Sequence, residues 1–187
     1  MSLRKLLLAT MFSAAFALSP ALSDYAAAKT VTVGGAPMYS DKNIIENAVN
    51  SKDHTTLVAA VKAAGLVDTL QSAGPFTVFA PTNSAFARLP KGTVDTLLKP
   101  ENKKALTDVL TYHVISGDYS AKRLLGAIAS GGGKARLKTV EGKSLTFRKK
   151  GNGITITDQK GGVARVTIPN VDQSNGVIHV VNRVLLP

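Results

Sequence analysis

Residues 76–86 read FTVFAPTNSAF, a short strand pattern that leads directly into the start of a helix. Aromatic and β-branched residues fill the first four positions, and Pro81 ends the run, which is typical of a strand. Thr82 or Asn83 then offers a side-chain oxygen that can cap the first turn of a helix. We expect the phenylalanines at the two ends of this segment to lie in the core.

Helical spacing dominates the chain up to residue 130, and alternating strand patterns dominate it after the glycines at 131–133. The predicted helices cover residues 43–49, 53–65, 66–72, 83–89, 93–98, 101–112 and 120–129. The predicted later strands cover residues 135–140, 144–148, 154–158, 164–168 and 177–186. Helices first and strands later within one compact length predict an α+β domain.

The N-terminus has the pattern of a secretory signal peptide. Arg4 and Lys5 precede an apolar run from residue 6 to residue 18, which is shorter than the roughly 20 residues that span a bilayer. Small residues predict cleavage after Ser23 or Ala28, so residues 1–28 would be the signal; an uncleaved anchor or a buried helix is the alternative. Residues 29–42 are predicted to be a flexible lead-in because they contain Gly34, Gly35 and Pro37, and the domain is predicted to cover 43–187. The protein is therefore expected to be periplasmic, secreted or at the cell surface.

Composition narrows the functional classes. The chain has no Cys, which removes thiolate catalysis, thiolate metal sites and disulfides. Only 5% of its residues are aromatic and none is Trp, so nucleic acid is not an expected partner. With 44% hydrophobic residues the chain can nevertheless bury a sizeable core.

The net charge of +11 is concentrated in one part of the sequence. Residues 122–165 contain eleven basic and two acidic residues, a surplus of nine. The candidate binding residues in the predicted strands are Lys138, Lys143, Arg148, Lys149 and Lys150. We expect this region to bind an anionic polysaccharide, lipid headgroups at a membrane surface, or a surface protein. The alternative is a solvated face whose lysines keep strand edges from pairing.

The sequence offers no catalytic or metal-binding constellation. Its three histidines, His54, His113 and His179, are far apart in sequence and belong to no nucleophile elbow or zinc-binding helix motif. The glycines at 131–133 precede Lys134, but Ala135 stands where a phosphate loop needs Ser or Thr. We therefore predict a protein that is not an enzyme and needs neither cofactor nor metal.

Three segments of the chain resemble the fasciclin domain family. They are the opening segment 76–86, the pair Tyr112-His113 at the end of a predicted helix, and the closing segment 175–187, which reads NGVIHVVNRVLLP. The resemblance covers roughly residues 43–187. It implies a β-wedge of about seven strands with helices packed along one side. In animal members the Tyr-His motif is associated with receptor binding, which makes Tyr112 and His113 candidate binding residues.

The resemblance also marks residues whose role would be structural: Thr77, Phe79, Pro81, Thr82, Asn83, Phe86, Gly176, His179 and Asn182. Of these, His179 lies in an apolar run, so its ring should pair with a backbone carbonyl or a neighbouring side chain. The family's known members are chiefly extracellular adhesion and matrix proteins. The leading hypothesis is thus an exported adhesion-type module that binds an anionic surface. The alternative is a small-molecule or lipid carrier with a cleft between wedge and helices.

Overall fold

The computed structural model describes residues 30–187, and the predicted signal peptide lies outside the described residues. A seven-stranded sheet forms the centre of the fold, with spatial order β4-β3-β9-β8-β7-β6-β5. Its strands are β3 (Phe76–Pro81), β4 (Val114–Ser116), β5 (Ala135–Lys138), β6 (Ser144–Lys150), β7 (Gly153–Thr157), β8 (Val163–Gln173) and β9 (Gly176–Val181). Neighbours are antiparallel except β3 and β9, which run parallel.

Seven short helices surround this sheet, and the predicted helices are confirmed. They are α1 (Ile44–Ala48), α2 (Thr55–Ala64), α3 (Val67–Gln71), α4 (Asn83–Phe86), α5 (Thr93–Leu97), α6 (Lys103–Tyr112) and α7 (Ala121–Ser130). Local chemistry sets several of their ends. Asn43 and Glu46 form a capping box at α1, Ser120 caps α7, and Gly65 ends α2 in the left-handed conformation at φ 73°.

Two apolar clusters hold the layers together. One fills the space between β3, β9 and the helices of the first half, and includes Leu57, Leu106 and Ile178. The other lies inside the curved sheet under α7, and includes Phe147 and Leu124. The two ends of the sheet approach each other, because the amide of Val140, just after β5, donates to the carbonyl of Val114 in β4 at 2.8 Å. The result is the nearly closed α+β wedge that the sequence predicts.

The segment predicted to be a flexible lead-in is partly a β-hairpin, so that prediction is wrong for residues 31–38. Strands β1 (Val31–Val33) and β2 (Ala36–Met38) pair around Gly34 and Gly35, whose φ angles are 59° and 78°. Two positive φ angles in a two-residue loop give a tight hairpin turn, so these glycines order the chain. Val33 and Met38 are both 4% exposed and belong to the helix-side core.

Strand β8 is longer than predicted. The sequence predicts a strand over residues 164–168, but the strand continues to Gln173. Its pairing with β9 shifts register on both sides of Ile168, and Asn170 has a positive φ of 55°. Proline fits such a bulge because the ladder hydrogen bond is already interrupted there.

No helix among residues 30–187 is long and apolar enough to cross a bilayer.

Candidate functional site

The register of the later strands gathers basic residues on the outer face of the sheet. Residues that pair directly across antiparallel strands point to the same face, and alternate residues point to opposite faces. Arg148 pairs with Thr155, which pairs with Arg165, while Phe147 and Ile156 face the interior core. Five exposed cations therefore share the outer surface of β5, β6 and β8, and we call them the basic face: Arg136, Lys138, Arg148, Lys150 and Arg165.

The spacing within the basic face is short. Strands lie about 4.8 Å apart, so the backbones at Arg148 and Arg165 are about 10 Å apart across β7. Lys150 lies two residues along β6 from Arg148, or about 7 Å. A Cβ atom added at Gly153 would lie 3.6 Å from Arg165 Nε. The Arg165 side chain therefore extends over Gly153, which pairs with Lys150 across the strands.

No carboxylate neutralises the basic face within the described part of the chain. Between residues 136 and 165, the outer-face positions of these strands contain Thr, Ser, Val and Gly besides the cations, and no Asp or Glu. The two ion pairs found in residues 30–187 are Lys104–Asp108 and Lys143–Glu141. The basic face therefore presents five like charges that only solvent ions and an external partner can balance.

Two of the predicted binding residues are placed differently. Lys143 lies in the turn before β6 and pairs with Glu141 at 3.2 Å, so a neighbouring carboxylate offsets its charge. Lys149 pairs across the strands with Ile154, so it starts from the interior face and reaches solvent only because β6 ends there. Arg136 and Arg165, by contrast, belong to the face although the sequence reasoning did not select them as binding residues. Only the strand register brings them beside Arg148.

Tyr112 and His113 are buried where α6 meets β4, which differs from the expectation that they contact a partner. They are 0% and 2% exposed. The Tyr112 hydroxyl donates to the carbonyl of Ser144 and accepts from the amide of Gln159, both at 3.1 Å. Burial raises the pKa of Tyr112 to about 12. These contacts join α6 to the strands, and no atom of the pair faces solvent for a partner to reach.

The His113 ring is held at both nitrogens. Nδ1 donates to the carbonyl of Val109 at 2.7 Å, and Nε2 accepts from the amide of Leu185 at 2.9 Å. Burial lowers the pKa of His113 to about 4, so the ring is neutral at physiological pH. It fastens the C-terminal segment to helix α6.

His179 has a similar arrangement in β9. Its Nε2 donates to the carbonyl of Tyr119 at 2.8 Å, and its Nδ1 accepts from the amide of Asn170 at 3.3 Å. The ring stacks on Phe79 with the ring centres 5.6 Å apart. Burial lowers the pKa of His179 as well. The histidine thus supports the β8 bulge through Asn170.

Several other residues of the two long segments make contacts that connect elements. The hydroxyl of Thr77 donates to the carbonyl of Gly117 at 2.6 Å. Thr82 caps α4, and the Asn83 side chain joins α4 to residues 52–56. Asn182 accepts from the amide of Arg165 at 2.8 Å. Phe79, Pro81 and Phe86 are buried, and Gly176 lies against β3.

Sequence reasoning missed two buried asparagines. Asn175 accepts from the amide of Ile44 and donates to the carbonyls of Leu70 and Ser72, so it joins α1 and α3 to the turn before β9. Asn47 is 0% exposed and bonds both the amide and the carbonyl of Tyr39. Asn175-Gly176 has the pattern of an ordinary turn, and only long-range contacts show that its amide is buried.

An apolar cavity of about 80 Å³ lies between the sheet and the helices, which is where the alternative carrier hypothesis requires a cleft. It is lined by residues of β3, β9, α1, α2 and α3, and by Val33 and Met38 of the N-terminal hairpin. His54 also lines it, at 3% exposure. Its Nδ1 lies 2.8 Å from the hydroxyl of Ser51, while Nε2 has no hydrogen-bond partner.

Nothing in the described residues suggests a metal centre. No group of three or more His, Asp or Glu side chains lies close enough to hold an ion within residues 30–187. Each histidine of residues 30–187 has a lowered pKa because of burial.

Comparison with known proteins identifies the family. The model of the fasciclin domain matches residues 52–187. The chain is 46% identical over 160 residues to Protein sll1483 of Synechocystis sp., covering 85% of this chain and 81% of that protein. It is 34% identical over 175 residues to Immunogenic protein MPT70 of Mycobacterium tuberculosis, covering 91% and 82%. It is 40% identical over 133 residues to the transforming growth factor-beta-induced protein ig-h3 of Sus scrofa, covering 70% of this chain but 17% of that protein.

A solved structure has the same fold. The FAS1 domain pair of the insect cell adhesion molecule fasciclin I matches with a TM-score of 0.69 and 19% sequence identity. The match covers 78% of this chain and 51% of that one, so this chain spans about half of the domain pair.

Proposed function

The chain belongs to the fasciclin domain family, and from this we propose that it is an exported, adhesion-type binding module whose basic face holds an anionic cell-surface or matrix component. The family includes an insect cell adhesion molecule, whose domain pair has the same fold. The observation that carries the proposal is the outer face of β5, β6 and β8, where five exposed cations stand without an acidic neighbour.

The spacing of these cations suits a polyanion better than a single small anion. Arg148, Lys150 and Arg165 lie about 7–10 Å apart at their backbones, close to the Debye length of about 8 Å in physiological salt. Each cation therefore still attracts an anionic group that is bound beside the next cation. A single contact between solvent-exposed charges contributes little, so several must act together. An anionic polysaccharide or a layer of acidic lipid headgroups offers several charges at this spacing.

The short side chains between the cations support the same proposal. Thr146, Thr155 and Thr157 separate the cations, and these short side chains leave the arginine and lysine side chains standing above the surface. Thr155 is 8% exposed although it faces outward, because the longer side chains beside it cover it. Such a surface can lie against an extended partner without a pocket.

A salt-resolved binding experiment with charge-matched variants tests the proposal. Arg148, Lys150 and Arg165 are replaced together by Ser, and the control replaces Lys91, Lys99 and Lys103, which are exposed in the helical half. Lys104 is left out of the control because it pairs with Asp108. Both variants lose three positive charges, so net charge is held equal.

Binding to alginate and to vesicles of phosphatidylglycerol and phosphatidylcholine is measured at 20 and 150 mM salt. We expect the basic-face variant to lose at least about tenfold in affinity at low salt and the control to stay within about twofold, with the wild-type isotherm weakening steeply as salt rises. Equal losses in the two variants would mean a diffuse polycation. No binding to either anionic surface at 20 mM salt would overturn the proposal.

A further inference from the structure

Strand β5 lies at the end of the sheet. It is the last strand in the spatial order, and among the strands of residues 30–187 it pairs with β6 alone. In an antiparallel pair, residues whose N–H and C=O groups bond the neighbour alternate with residues whose groups point away from it. A strand at the end of a sheet therefore presents a row of backbone donors and acceptors to whatever lies beside it.

A hydrogen bond at the end of β5 fixes which of its residues point away from β6. The amide of Thr139 donates to the carbonyl of Lys143 at 2.8 Å, at the position that follows the last pair of the β5–β6 ladder. Because bonded positions recur at every second residue, Leu137 also bonds β6. The amides and carbonyls of Arg136 and Lys138 therefore point away from β6, and we call these backbone groups the free edge.

The contact between β5 and β4 supports this alternation. Val140 is the next residue of the outward-pointing set, and its amide donates away from β6 to the carbonyl of Val114 at 2.8 Å. The two strands do not continue as a ladder beyond this bond within the described chain. No group of residues 30–187 bonds the backbone of Arg136 or Lys138 on that side, and both residues are exposed. The free edge is therefore where a further strand can pair.

The side chains beside the free edge indicate which strand would fit. Arg136 and Lys138 lie on the outer face, as members of the basic face. Leu137 lies on the inner face, where it packs against the core under α7 and remains partly exposed. In an added strand, the residues opposite the two cations would share the outer face with them, and the residue between would lie beside Leu137. Cross-strand pairs are most favourable with acidic residues at the first two positions and an apolar residue at the third.

We propose that the free edge binds an extended, acidic segment of a partner protein, which adds to β5 as an antiparallel strand with acidic, apolar and acidic residues in succession. The antiparallel direction follows from β4, the strand that meets β5 at Val140, because β4 runs opposite to β5. The proposal goes beyond the proposed function, since it requires the backbone of β5 and not the cations alone.

Charge excludes a second copy of this chain as the occupant. Pairing two β5 edges would bring the cations of one copy opposite those of the other, and like charges directly opposite are destabilising. The same lysine and arginine that keep copies apart attract a strand of opposite charge. Strand addition of this kind takes its affinity from main-chain hydrogen bonds and its specificity from alternate side chains.

A capped peptide with the sequence TTEVETT is the probe, titrated into the ¹⁵N-labelled protein at pH 7.5. We expect amide shifts centred on residues 135–138 and at least about tenfold weaker binding of the control peptide TTKVKTT. R136P is compared with R136S, because both lose the same charge and only the proline removes an amide donor of the free edge. Proline at an outward-pointing edge position leaves the β5–β6 ladder intact. R136P should bind TTEVETT about five- to tenfold more weakly than R136S, the effect of one hydrogen bond.

Methylated peptides provide the same test on the wild-type protein if R136P does not fold. In the proposed pairing, the glutamate amides of TTEVETT bond the free edge, and the valine amide points away from it. A methyl group on one glutamate nitrogen should therefore weaken binding about fivefold or more, and a methyl group on the valine nitrogen should leave it within about twofold. Equal effects of the two methyl groups, or equal binding by R136P and R136S, would overturn the proposal.

The variant that replaces Arg148, Lys150 and Arg165 separates this proposal from the binding of polysaccharide or lipid. It retains the free edge, so it should bind TTEVETT within about threefold of the wild type while it loses affinity for alginate and vesicles. The proposal is also overturned if the shifts map away from β5, if TTKVKTT binds as well as TTEVETT, if β5 instead pairs two copies of the chain in sedimentation experiments, or if no binding occurs at several millimolar peptide.

Discussion

Acidification should destabilise this protein well before its carboxylates are protonated, and His113 is the main reason. Its pKa is lowered from an ordinary 6.5 to about 4 because the ring is buried. Protonation would also place a hydrogen on Nε2, the atom that accepts from the amide of Leu185. The folded state therefore stays unprotonated at this site over a pH range in which the unfolded chain takes up a proton.

The sign and size of the change in the free energy of unfolding follow from proton linkage. Well above pH 6.5 neither state is protonated at His113, and the full stability is present. Below pH 6.5 the unfolded state binds more protons, so the free energy of unfolding falls as pH falls toward the folded pKa of about 4. The loss from this one group is about 1.4 kcal/mol at pH 5.5 and about 3 kcal/mol at pH 4. For a domain of this size, 3 kcal/mol corresponds to a drop in melting temperature of about 6–12 °C.

Urea unfolding at pH 7.5, 5.5 and 4 measures this loss, with H113Q as the comparison. The variant should be less stable at pH 7.5, by about 2 kcal/mol for two lost hydrogen bonds. Its stability should then fall less between pH 7.5 and 4 than that of the wild type, because one titrating group is gone. Burial also lowers the pKa values of His54 and His179, and both remain in the variant. Parallel pH profiles for the two proteins would refute the reasoning.

Three further substitutions test the packing that holds the wedge. In thermal melts, G176A should be severely destabilising, by about 3 kcal/mol or more, because its Cβ would lie 2.0 Å from the carbonyl oxygen of Phe76. The control G126A, in an open position of α7, should be neutral or slightly stabilising in the same measurement. H179A should lose about 3 kcal/mol in urea unfolding, since it removes two hydrogen bonds and a buried ring, while vesicle binding per folded molecule stays unchanged. Y112F should lose only about 1 kcal/mol, because the exposed Gln159 segment can turn its amide to water; a loss above about 3 kcal/mol would contradict this.

Local patterns predicted most of the elements, because their signals lie within a few residues of each other. Thr82, one of the two residues that the sequence offers as a cap, caps α4, and Gly65 ends α2 as predicted. The helix predicted to start at Ser120 is also present. Predictions that depended on distant contacts were less successful. The glycines at 34 and 35 suggest flexibility until the partner surface at residues 51–53 is known.

The predictions for the candidate site show the same difference between local patterns and distant contacts. The sequence predicts that residues 122–165 are rich in cations, but a charge count cannot say which of them share a face. Strand register decides that, and it adds Arg136 and Arg165 while it turns Lys149 toward the other face.

The parallel pairing of β3 with β9 has a consequence for the order in which the molecule can be made. Phe76 pairs with Gly176, and β9 is also the neighbour of β8, so the last strand of the chain is the one that joins the two parts of the sheet. A growing polypeptide that stops before residue 176 has β3 and β4 on one side and β5 to β8 on the other, with nothing between them. Such long-range closure is slow compared with local folding. The nascent chain must therefore wait until β9 has been made, and loss of residues 176–181 alone should leave a polypeptide that does not reach the native state.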